Sequence, residues 1–63
     1  MTQKELLYVE DAIGHEDIMI GVINNTIEKL EDSLLITFME SELKKHNKCR
    51  EKLMNLLEEK TNE

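Results

Sequence analysis

The most constraining feature of this sequence is a heptad pattern that runs without interruption through residues 6–30. Positions at alternating steps of three and four are apolar, with Glu16 as the one exception. The positions are Leu6, Val9, Ile13, Glu16, Ile20, Ile23, Ile27 and Leu30. This spacing places all eight side chains in one stripe of an α-helix. The pattern therefore predicts a long helix whose apolar seam packs against another helix.

Local signals predict where two helices begin and end. Thr2-Gln3-Lys4-Glu5 has the pattern of a capping box, and Asp32 is a good N-cap for a second helix. We expect one domain, residues 1–63, with a helix at about 3–30, a loop at about 31–32 and a helix at about 33–60. Such a short loop makes the two helices antiparallel neighbours.

The expected seam of the second helix also proceeds by steps of four and three. It passes through Leu35, Met39, Glu42, His46, Cys49, Leu53, Leu56 and Lys60. Further apolar side chains flank the two seams, namely Leu7, Ala12, Met19, Val22, Leu34, Phe38, Leu43 and Leu57. A stripe of this width suits a four-helix core better than a two-stranded seam. We therefore predict an all-α fold, an antiparallel helical hairpin that dimerises into a four-helix bundle.

The length of the chain supports this expectation. A chain of 63 residues buries a modest core and usually needs an additional source of stability. The single cysteine, Cys49, cannot form an intrachain disulfide. A bound metal or a second subunit is left to supply the stability, and a homodimer is the partner that we expect.

Charge and hydropathy disfavour several classes of partner. The net charge is −6, and residues 1–32 carry it, with two lysines against eight acidic residues. An acidic domain has little electrostatic reason to bind nucleic acid, although RNA-binding dimers of two-helix chains share this size and topology. No apolar run approaches the roughly 20 residues that cross a bilayer, and no signal peptide is evident. We expect a protein with neither a nucleic-acid partner nor a membrane partner.

Four polar residues interrupt the predicted seams: Glu16, Glu42, His46 and Cys49. Folding the hairpin at residues 32–33 places Glu16 opposite Cys49, with His46 one turn away. These three side chains should meet in one layer near the middle of both helices. Their donor atoms are ligands of zinc or iron, and Glu42 is a fourth candidate nearby. The alternative is structural, because a polar layer also determines register and oligomeric state.

Helix 1 contains three positions that weaken it. Gly14 and Gly21 are seven residues apart on one face, and Asn24 is a poor helix former. The glycines either allow close helix approach, or are simply tolerated, or leave room for a ligand beside Glu16. A break of the helix near residue 24 is a further possibility that the pattern leaves open.

Two stretches of helix 1 resemble a known family. Residues 2–7 (Thr-Gln-Lys-Glu-Leu-Leu) and 10–16 (Glu-Asp-Ala-Ile-Gly-His-Glu) resemble short ferritin-like proteins of spore-forming bacteria, which are related to spore coat protein F and to rubrerythrin. Residues 32–35 (Asp-Ser-Leu-Leu) are similar to the turn of that family without its proline. The resemblance implies a ferritin-like bundle that is cytoplasmic or spore-associated, with coat or other structural proteins as further partners.

The resemblance also implies a metal site with one departure from the family. Ferritin-like sites take a glutamate from one helix and a Glu-x-x-His pair from the next. Glu16 matches the first glutamate, whereas His46 and Cys49 stand where the family has Glu and His. The change favours zinc, or no metal, over a di-iron centre. We expect a non-enzymatic structural or interaction protein, with a dimeric zinc- or iron-binding bundle as the alternative.

Overall fold

The computed structural model describes residues 1–61, and the side chains of residues 1–60. Two α-helices, α1 (Gln3–Lys29) and α2 (Ser33–Thr61), pack against each other along their length. The Cα atoms extend over 47 Å in the long direction and 14 and 11 Å in the others. The chain is therefore a helical hairpin, which confirms the predicted all-α fold at the level of the single chain.

The capping box predicted at the start of α1 is present. The Thr2 hydroxyl accepts a hydrogen bond from the Glu5 backbone N–H at 3.1 Å, and the Glu5 carboxylate accepts one from the Thr2 N–H at 2.8 Å. The hydrogen bond from the Thr2 backbone N–H, and after it hydrogen bonding with the Thr2 side chain, lowers the pKa of the Glu5 carboxyl. From this start α1 continues without a break through Gly14, Gly21 and Asn24.

The turn between the helices comprises Leu30, Glu31 and Asp32. Leu30 has an extended backbone, and its N–H donates to the carbonyl of Ile27 at 3.2 Å, which ends α1. The Asp32 carboxylate accepts from the N–H groups of Leu34 and Leu35 at 2.9 and 3.1 Å. The N-cap predicted at Asp32 is thus confirmed. It starts α2 directly after the turn, so that the chain reverses its direction within three residues.

The seam of α1 faces α2 as the sequence predicts, but the seam of α2 is rotated by one residue. The less exposed side chains of α2 form a row at steps of three and four, with Glu42 beside it: Ile36, Met39, Leu43, His46, Arg50, Leu53, Leu57 and Lys60. Met39, His46, Leu53 and Lys60 were expected there. The expectation for Leu35, Cys49 and Leu56 was wrong, because these side chains are exposed.

The hairpin alone buries very little. Among the described residues only Ile13 and Ile23 are buried, and no polar side chain is. Many large apolar side chains remain in contact with solvent, including Tyr8, Val22, Leu35, Phe38 and Leu56. A fold of this kind has almost no core of its own, although its composition is rich in aliphatic residues.

Five of the ten large exposed apolar side chains among the described residues share one side of the hairpin, which we call the open side. On α1 it consists of residues at steps of three and four, namely Tyr8, Ala12, His15, Met19, Val22 and Thr26. On α2 it consists of Leu35, Phe38, Glu42, Lys45, Cys49, Lys52 and Leu56. Tyr8 and Leu56 line the same groove, which shows that the two rows lie on the same side. Ile18 is exposed elsewhere, because it lies about 200° around α1 from Glu16 in the seam.

Within the described residues, no helix combines the length and the apolar character that crossing a membrane requires.

Candidate functional site

The central contact between the two helices is a polar pair. The Nδ1 atom of His46 lies 2.5 Å from a carboxylate oxygen of Glu16. The side chains are 27% and 16% exposed, so solvent screens the contact only in part. An ionised carboxylate can only accept, and therefore Nδ1 carries the proton that is shared. This hydrogen bond is the main cause of the lowered pKa of Glu16.

Cys49 joins this pair from the open side. Its thiol is close enough to the Glu16 carboxylate to form a weak hydrogen bond with it. Partial desolvation raises the pKa of the Cys49 thiol, and the negative charge of Glu16 raises it further. The thiol is therefore protonated at neutral pH, which makes it a weak nucleophile. The convergence of Glu16, His46 and Cys49 in one layer agrees with the sequence prediction.

Glu42 stands apart from this layer. It is half-buried, and its carboxylate lies 3.3 Å from the ammonium of Lys45 on the same helix. A pair three residues apart with an exposed lysine contributes little to stability, about 0–1 kcal/mol. The structure therefore does not bring Glu42 into contact with Glu16 and His46.

The side chains of one hairpin do not fit a metal ion. Within residues 1–61, no group of three His, Cys, Asp or Glu residues is arranged to hold one. Glu16 and His46 are bonded to each other, and the raised pKa of Cys49 disfavours the thiolate that a metal requires. The metal site predicted at Glu16, His46, Cys49 and Glu42 would need ligands from a second copy, and it stays a prediction.

A second contact between the helices was not anticipated from the sequence. The guanidinium Nε of Arg50 lies 2.5 Å from a carboxylate oxygen of Asp17. Arg50 is in phase with Ile36, Leu43 and Leu57, and this phase was the signal that could have revealed it. The pair lies on the opposite side of the seam from Cys49, and it fixes the same register as the Glu16–His46 contact.

Three lysines in the middle of α2 are exposed. Lys44 and Lys48 line a shallow depression together with Glu51 on the outer surface of the helix and with Lys45 at the edge of the open side. Arg50, in the same stretch of α2, reaches α1 instead.

A groove opens at the end of the hairpin that is remote from the turn. Its lining comprises Met1, Glu5, Tyr8, Val9, Leu56 and Lys60, and its volume is about 480 Å³. Tyr8 and Leu56 form its apolar walls on the open side. The groove is therefore a concave part of the open side that side chains of both helices line.

The glycines of α1 do not contribute to any of these features. A Cβ atom built at Gly14 or Gly21 meets nothing within 4 Å. Neither residue allows close helix approach within the hairpin, and neither opens a space beside Glu16. The interpretation that fits is that the helix tolerates them.

Comparison with known proteins adds no relative: no protein-family model, no curated protein and no solved structure matches this chain.

Proposed function

We propose that this protein is a non-catalytic structural or interaction protein that works as a homodimer, a four-helix bundle made of two hairpins. The open side is the observation that carries the proposal. Phe38, Tyr8 and Val22 are 59%, 61% and 53% exposed in the hairpin, and they share that side with Leu35 and Leu56. Exposed apolar side chains that recur along one side of a helix pair are typical of an interface between subunits.

The size of the open side suits a stable dimer. The hairpin is 47 Å long. Two helices side by side are about 20 Å wide, so the face measures on the order of 900 Å² per copy. A pair of such faces buries roughly 1,800 Å², which falls within the range of specific, stable protein interfaces. A second copy offers an apolar face of the same length and shape by symmetry.

The weak core of the hairpin also supports a dimer. With only Ile13 and Ile23 buried among the described residues, the apolar contacts of one copy offset little of the entropy that is lost on ordering the chain. Packing against a second copy would bury the open side and supply the missing core. The resemblance of residues 2–7 and 10–16 to spore-coat-related ferritin-like proteins is in keeping with a structural role.

Sedimentation equilibrium of matched variants tests this proposal. We expect a dimer at micromolar concentration for the wild type, and a dissociation constant raised at least about 10-fold for Phe38→Lys, because the charge would be buried in the interface. Ile18→Lys is the control, since Ile18 is 64% exposed but lies outside the open side. A folded monomeric wild type, or equal weakening by both substitutions, would contradict the proposal.

The alternative function is a dimeric bundle that binds zinc or iron through residues of both copies. The convergence of Glu16, His46 and Cys49 favours it, whereas their mutual hydrogen bonding opposes it. Elemental analysis of protein purified without an affinity tag decides the question. Protein without bound metal, whose melting temperature does not change on addition of zinc or iron, would exclude this alternative.

A further inference from the structure

Two pairs of side chains on the open side of α2 match each other across the middle of the helix. Since α2 runs from Ser33 to Thr61, its midpoint is residue 47. Phe38 and Leu56 lie nine residues before and after this midpoint, and Glu42 and Lys52 lie five before and after it. The first match pairs two apolar side chains, and the second pairs an acid with a base.

In a symmetric dimer, the matched residues would come into contact with each other. In an interface with twofold symmetry, residue i of one copy meets residue j of the other, and j meets i. Two α2 helices that cross antiparallel about an axis at residue 47 would therefore place Phe38 against Leu56, and Glu42 against Lys52, two times each. Every such contact would be favourable.

We propose that the two copies pack their open sides together about a twofold axis perpendicular to the helices at the level of residue 47, so that Phe38 of each copy enters the groove of the other between Tyr8 and Leu56. This arrangement rests on the dimer proposed above. It specifies the register and places the two turns at opposite ends of the bundle. The groove and the exposed ring of Phe38 lie at opposite ends of the open side, as a self-complementary interface requires.

The first helix fits the same axis. The contacts of Glu16 with His46, and of Asp17 with Arg50, put the midpoint of α2 level with residues 16–17 of α1. Ala12 and Val22 each lie five residues from residue 17, and Tyr8 and Thr26 each lie nine residues from it. Ala12 would thus pack against the partner's Val22, and the ring of Tyr8 against the methyl group of the partner's Thr26. No like charges of the open side meet along α1.

The other closed arrangement of two hairpins is less favourable. An axis parallel to the helices puts both turns at the same end, so that α1 of one copy lies beside α2 of the other in the register that the hairpin itself has. Val22 would then lie against the partner's Glu42, and Met19 against the partner's Lys45. Leu56 would still meet the partner's Tyr8, but Phe38 would be far from the groove.

Distance measurement between spin labels distinguishes the two arrangements. The label is attached to Glu31→Cys in a Cys49→Ser background, because Glu31 lies in the turn and outside the open side. With turns at opposite ends of a bundle 47 Å long, we expect a separation of about 45 Å, against less than about 25 Å with turns at the same end. Sedimentation of the labelled protein establishes that it is dimeric at the concentration used, and dilution with unlabelled protein is the control.

Exchange of charges tests the register directly. We expect Glu42→Lys and Lys52→Glu to weaken the dimer separately, by up to about 25-fold because each pair occurs two times. The double variant should recover the wild-type dissociation constant within about threefold, since the pairs are restored in reverse. Glu51→Lys, on the outer surface of α2, is the matched control and should leave the dissociation constant unchanged.

The outcomes separate this inference from the proposed function. A chain that stays monomeric overturns both. A dimer with a short distance between the turns, or a double charge variant that is as weak as the single variants, overturns the register and leaves the dimer standing. A long distance together with recovery in the double variant supports both.

Discussion

At the scale of the residue, Glu16 is the polar side chain on which the middle of the hairpin depends. Its carboxylate receives the hydrogen bond from His46 and influences the thiol of Cys49. Its lowered pKa shows that the folded state favours the ionised form of the carboxyl. By linkage, ionisation of Glu16 stabilises the fold above the ordinary pKa of 4.5, and this contribution is lost as the pH falls through the lowered value.

This argument predicts a pH-dependent effect of Glu16→Gln. The variant should be less stable than the wild type at pH 7, because an amide is a weaker acceptor for His46 than a carboxylate. The difference should begin to shrink as the pH falls below about 4.5, where the carboxyl of the unfolded chain becomes protonated, and it should be lost as the pH falls through the lowered pKa of the folded state. Thermal melts between pH 3 and pH 7 measure it, with Glu10→Gln as the exposed control. A difference that does not vary with pH would contradict the assignment.

At the scale of the element, the helices could be predicted from the sequence, but the orientation of α2 could not. The capping box at Thr2 and the N-cap at Asp32 are local, so the residues that form them identify the helix ends. In α2 two patterns of threes and fours overlap. Both contain Met39, His46, Leu53 and Lys60, and they differ in whether Ile36, Leu43, Arg50 and Leu57 or Leu35, Glu42, Cys49 and Leu56 complete the seam.

The choice between these two patterns depends on contacts that cross the hairpin. With α2 turned by one residue, Ile36, Leu43 and Leu57 face α1 and Arg50 reaches Asp17. The periodicity of α2 alone does not distinguish the two patterns, because the apolar stripe of this helix is wide enough to include both of them. The layer of Glu16, His46 and Cys49 was predictable because the error of one residue left His46 in the seam and Cys49 beside it.

The glycines of α1 yield a prediction at the same scale. Gly14→Ala and Gly21→Ala should each raise the free energy of unfolding by about 1 kcal/mol, because alanine is a better helix former and the added methyl group meets no atom within 4 Å. The double variant should show the sum within about 0.5 kcal/mol, since the positions are two turns apart. Urea unfolding followed by circular dichroism measures this. A loss of stability would mean that this face of α1 is covered in the native protein.

At the scale of the whole molecule, the seam between α1 and α2 and the open side of the hairpin differ in composition and in role. The seam joins α1 to α2 with few buried side chains and with two polar contacts that fix the register, Glu16 with His46 and Asp17 with Arg50. The open side holds much of the exposed aliphatic and aromatic surface. In the proposed dimer, folding of each chain and association of the two chains would stabilise each other, because the core forms only when both have occurred.

This coupling predicts that the melting temperature depends on protein concentration. If unfolding separates the two chains, mass action favours the folded dimer as the concentration rises. Between 2 and 200 μM, a 100-fold increase, the folded dimer is stabilised relative to the unfolded chains by about 2.7 kcal/mol per mole of dimer. For a folding unit of two 63-residue chains, this gain corresponds to a shift of roughly 8–12 °C. Calorimetry over this range measures it.

Matched variants show whether the open side is responsible for that dependence. The melting temperature of Ile18→Lys should rise with concentration as steeply as that of the wild type. Phe38→Lys should melt at a lower temperature than both at every concentration, because its hairpins associate more weakly and the dimer contributes less to stability. A wild-type melting temperature that is the same at both ends of the range would show that the hairpin folds alone, and that the open side stays in contact with solvent.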